Sequence, residues 1–84
     1  MSSTRVYHLV IRVPKKESAY IYFQMEANEG LCFYSTLPDS MGEGHRDIMI
    51  KTDISLMDET KRLVDKLKEQ VPIETLIEEE LEME

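Results

Sequence analysis

The stretch FQMEANEGLCFYSTL, residues 23–37, passes from helical to alternating apolar spacing across one glycine, Gly30. Before it, from about Lys16 to Asn28, apolar groups recur at helical spacing through Ala19, Tyr20, Phe23 and Ala27, with Tyr22 and Glu26 flanking the same stripe. That stripe is expected to face the core. Helices commonly end in the left-handed conformation that glycine reaches without a steric penalty, so Gly30 reads first as a helix stop. LCFYSTL then reads as a strand, with Leu31, Phe33 and Ser35 on one face and Cys32, Tyr34 and Thr36 on the other.

Working outward, VYHLVIRV at Val6–Val13 is rich in β-branched and aromatic residues and is closed by Pro14. Tyr7, Leu9, Ile11 and Val13 share one side, and Val6, His8, Val10 and Arg12 share the other. Downstream, PDSMGEGHRD holds two glycines and several turn formers, which predicts a mobile hairpin loop. IMIKT would then pair antiparallel with the preceding strand. Ser55 with Asp58 resembles a capping box ahead of the stripe Leu56, Thr60, Leu63, Val64, Leu67 and Val71, and Pro72 ends that helix. After Pro72 a short fourth strand near Ile73–Ile77 is preferred over a helix, because it would cover an open sheet edge. The order strand, helix, strand, strand, helix, strand predicts an α+β, ferredoxin-like (split β-α-β) two-layer sandwich, with both helices on one face of an antiparallel sheet.

Composition bounds the function. A chain of 84 residues has room for one domain with a modest core, so a deep enzyme cavity is not expected. One domain over residues 1–84 is predicted, with Glu78–Glu84 as an acidic, mobile tail. Ten Lys and Arg against 17 Asp and Glu give a net charge of -7, which repels phosphate backbones and anionic membranes, so neither nucleic acid nor a membrane is expected as a partner. The start Met-Ser-Ser-Thr-Arg lacks the apolar run of a signal peptide, and no apolar stretch is long enough for a bilayer, so a cytoplasmic protein is expected.

Glu26 is the sharpest candidate for chemistry, since helical spacing sets its carboxylate at the edge of the expected inward stripe, beside the turn at Gly30. There it would serve as a base or receive a cationic ligand group, or simply bond turn amides or the Thr36 hydroxyl. No nucleophile or second acid accompanies it, so no enzyme is expected. His8, Cys32 and His45 are too scattered for metal-ligand spacing, and no metal or cofactor is expected. His8, Val10, Tyr34, Thr36 and Met49 are expected to form a partly apolar open sheet face, suited to a homodimer or another protein partner.

The run Phe23 to Leu31, followed by Thr36, resembles the core of a family of small uncharacterised bacterial proteins, with the pattern Phe, two residues, Glu-Ala, one residue, an acid, Gly, an apolar residue, and Thr at the end of the next strand. The resemblance extends from about Val6 to Ile77 in element order. It implies a fold rather than a reaction, and marks Phe23, Glu26, Gly30 and Thr36 as characteristic positions. Glu26, Gly30 and Thr36 are accordingly the candidate ligand-binding residues. The loop around Met41–His45 and the acidic tail are longer than in that family. Acylphosphatases share the architecture but need an arginine in a glycine-rich loop after the first strand, where this chain has RVPKKES. ACT-type sensors, which bind small ligands at subunit interfaces, carry a glycine in that turn where this chain has Pro14, so the analogy is one of fold. The sequence therefore supports a non-enzymatic interaction or dimerisation module, with an ACT-like regulatory sensor as the alternative.

Overall fold

In the computed structural model, residues 4–28, 30–38 and 44–83 are described. They form β1 (Thr4–Pro14), α1 (Ser18–Ala27), β2 (Phe33–Thr36), β3 (His45–Asp53), α2 (Met57–Lys68) and β4 (Glu74–Met83). The sheet runs β2-β3-β1-β4 with every neighbouring pair antiparallel. Both helices pack on one face, giving the ferredoxin-like α+β sandwich that the element order predicts. The centre of the β2–β3 loop, expected to be the most mobile part, lies outside the described residues.

The core follows from β1. Its side chains alternate, and Tyr7, Leu9, Ile11 and Val13 are each no more than 2% exposed. Opposite them β3 contributes Ile48 and Ile50, α1 contributes Ile21 and Met25, and α2 with its exit turn contributes Val64, Leu67 and Val71. The stripe read on α2 is thus the buried one. On α1 the expected stripe is out of phase: Ile21 and Met25 point inward, while Ala19, Phe23 and Ala27 are exposed. Seven of the ten α1 residues are Ala, Tyr, Ile, Phe or Met, so apolar spacing alone does not select one face.

The expectations for the α2 cap and for the extent of β4 are also corrected. The cap before α2 is Asp53, whose carboxylate accepts from the Ser55 amide at 2.9 Å and its hydroxyl at 2.5 Å; a 3-10 turn, Ile54–Leu56, then leads into the helix. β4 is longer than Ile73–Ile77, and residues 78–83, expected as a mobile tail, pair with β1. Cations and donors from other elements hold these acids: Arg5 pairs with Glu80 at 2.7 Å, His8 with Glu79 at 3.1 Å, and the Tyr7 hydroxyl donates to Glu78 at 2.5 Å. A bulge at Leu76 shifts the ladder, so that Val10 faces Ile77 and Ile11 faces Thr75. Gly30, by contrast, has φ of 88°, the left-handed conformation expected of it.

Two stability measurements test this account. A Cβ at Gly30 would meet no atom within 4 Å, so Gly30→Ala should lose about 1 kcal/mol through its backbone conformation alone. Thr60 is fully buried and its hydroxyl has no hydrogen-bond partner among the described residues. Thr60→Val should therefore raise stability by about 1 kcal/mol, seen as a higher urea midpoint with an unchanged slope.

Candidate functional site

The face of the sheet away from the helices is built in cross-strand rows. One row runs Ser35, Met49, Val10, Ile77 across all four strands and is apolar in its last three positions. Beside it, Arg12 lies between Asp47 and Glu74, and on the other side the row runs Phe33, Lys51, His8, Glu79. The charged rows are largely neutralised within the fold. Arg12 grips Asp47 through Nε at 2.8 Å and Nη2 at 3.0 Å, and His8 Nδ1 lies 3.1 Å from Glu79. The apolar row and Phe33 remain available. Val10 is only 4% exposed between its neighbours, but Ile77 is 43% and Phe33 62% exposed.

His8, Val10 and Met49 are therefore together on the open face, as the alternation of β1 and β3 implies. Tyr34 and Thr36 are not. They pair with Ile50 and Ile48 and so face the helices, where Tyr34 packs against the core. Phe33, on the opposite face of the strand from Tyr34 and Thr36, takes the open side instead. The inward choice is set by α1. Tyr34 stacks on Tyr22 with ring centroids 5.7 Å apart, its hydroxyl donates to Glu26, and the Tyr22 hydroxyl bonds that of Thr36. Two tyrosines on adjoining elements thus satisfy each other's surroundings, a pairing that alternation cannot reveal.

This cluster also places the candidate ligand residues. Glu26 is exposed rather than partly buried, and its partner is Tyr34 rather than turn amides or Thr36. The bond to the Glu26 carboxylate pushes the Tyr34 hydroxyl above its ordinary range. Thr36 is tied to the other tyrosine, and Gly30 closes a turn in which Leu31 N–H donates to Asn28 O at 3.0 Å. Among the described residues, the three do not line a common cavity. Cys32 sits on the helix side with its sulfur 3.8 Å from that of Met25, and burial pushes its thiol up. It is remote from the open face that carries His8. Among the described residues, no group of three His, Cys, Asp or Glu is placed to hold a metal, and no helix is long and apolar enough to cross a membrane.

Sequence reasoning missed a cleft of about 440 Å³ at one end of the sheet. Val13, Pro14, Pro72 and Ile73 give it apolar walls, and Arg12, His45 and Glu74 supply its polar side chains. Antiparallel pairing brings Pro14 opposite His45 and Arg12 opposite Glu74, while Lys15 N–H donates to Gly44 O at 3.0 Å. The two prolines bracketing distant parts of the chain were the available signal. Taken locally, each proline is only an element stop.

No known family's sequence profile matches the chain, and neither does any curated protein. Among solved structures the chain is similar to one described as CPII bound to ADP, AMP and acetate, from Thiomonas intermedia K12. The TM-score is 0.62 at 11% identity, covering 100% of this chain and 93% of that one. At that identity the likeness is one of fold.

The Arg12–Asp47 pair yields a pH dependence. The bond from Arg12 holds the Asp47 carboxyl below its ordinary value of 3.8, so below that value the unfolded chain binds the proton more readily. Stability from this pair is full above the ordinary value and is lost as pH falls through the lower, folded one. Asp47→Asn should be less stable at pH 7 by about 0.5–1 kcal/mol. In urea titrations across pH, the difference from the parent should close only at acid pH.

Proposed function

We propose that this chain is a non-enzymatic module that self-associates, with the open face of its sheet covered by a second copy. The observation that carries this reading is the exposure of Ile77 and Phe33, which flank the half-buried Met49 and the buried Val10, on the sheet face opposite the one that packs both helices. Strands about 4.8 Å apart make a four-stranded face of roughly 500 Å² in projection. That is of the order of the 800 Å² that each partner hides in a stable interface. The internal ion pairs beside the row leave few unpaired charges to desolvate. The same reading takes the protein as cytoplasmic and as a relative of the small bacterial family whose Phe23–Gly30 pattern it resembles.

Sedimentation equilibrium tests this reading. Phe33→Asp and Ile77→Lys should each weaken self-association at least about tenfold while the circular dichroism spectrum is kept. Phe23→Asp, at a residue 67% exposed on α1, should leave association unchanged. Because each copy carries a net charge of -7, association of the parent should tighten as salt is added. A parent that stays monomeric at millimolar concentration, or a Phe33→Asp variant that associates normally, would rule the reading out.

A second reading, a regulatory domain that takes a small ligand, is favoured by the cleft at Pro14 and Pro72 and by the ADP, AMP and acetate held by the structurally similar CPII. It would appear as saturable thermal stabilisation by a small molecule.

A further inference from the structure

The cleft at the end of the sheet has a chemistry that narrows its occupant. Its volume of about 440 Å³ falls within the range of small-molecule sites. Pro14 and Pro72 have few ways to move, and together with Val13 and Ile73 they make walls against which a flat, apolar ring can lie. The polar groups are unequal. Arg12 already grips Asp47 with two bonds, and His45 Nε2 lies 3.8 Å from the same carboxylate. The Glu74 side chain, by contrast, makes no hydrogen bond or ion pair among the described residues, though it lines the cleft. A carboxylate accepts and does not donate, so its complement is a hydrogen-bond donor or a cation.

We propose that this cleft is the ligand site of the second reading above, on which the proposal rests, and that it takes a flat heteroaromatic ring bearing an amino group. The ring lies between the two prolines and Ile73, and the amino group donates to Glu74. An anionic substituent is not what the cleft selects. Arg12 is shared with Asp47, Glu74 is acidic, and the chain as a whole carries a charge of -7.

The test uses adenosine, inosine, AMP and inorganic phosphate on the full chain, with binding read by amide chemical-shift changes and thermal stabilisation. Inosine keeps the ring and sugar of adenosine but sets an oxygen acceptor where adenosine carries its amino group. Adenosine should bind, with shifts confined to residues 12–14, 44–45 and 72–74. AMP should bind within about threefold of adenosine, inosine about tenfold or more weakly, and phosphate should move nothing. Glu74→Gln, at an exposed position, should fold normally and lose the preference for adenosine over inosine. Equal binding of inosine, a preference that survives Glu74→Gln, or shifts that map elsewhere would overturn the site while the ligand-binding reading stands. Were none of the four to bind, this proposal would fall, and a wider metabolite panel would then decide the broader reading separately.

Discussion

β1 is hydrogen-bonded along both edges, to β3 and to β4, and its odd-numbered side chains from Tyr7 to Val13 lie at the centre of the core. Burial of those four side chains is what both helices pack upon. It fixes the register of β1, because a slip of one residue would carry Arg12 and His8 into the core and Leu9 and Ile11 into water. Register in turn decides which residues meet on the other face. The row Met49, Val10, Ile77 and the flanking ion pairs are therefore by-products of packing on the helix side.

The parts of the fold legible in the sequence were those with one strong local signal. The alternation of VYHLVIRV, the stripe of α2 and the glycine after α1 each pointed to a single structure, and the topology followed from their order. The phase of α1 is not legible in its spacing because the helix is apolar around most of its circumference, so its inward face is chosen by the sheet it lands on. β4 is longer than its sequence suggests because a run of glutamates looks like a solvated tail. Its partners, Arg5, Tyr7 and His8 on β1 and Lys61 on α2, lie far back in the chain, and only the fold brings them to it.

The candidate sites divide in the same way. His8, Val10 and Met49 sit on two long strands whose alternation is unambiguous, and they are found together. The four-residue β2 has too little pattern of its own, and a tyrosine pair with α1 sets its facing. The cleft depends on Pro14, His45 and Glu74, residues that become neighbours only through antiparallel pairing, so no local motif could announce it.

The ladder between β1 and β4 has one further consequence, which lies in mechanics. Thr4 stands opposite Met83, so the described chain begins and ends on adjacent strands. Tension applied through residues 4 and 83 pulls the two strands apart at one end, and their hydrogen bonds open one after another rather than sharing the load. Stretched in this way, the domain yields first by peeling β4 from the sheet, with the β2-β3-β1 portion and its buried isoleucines loaded afterwards.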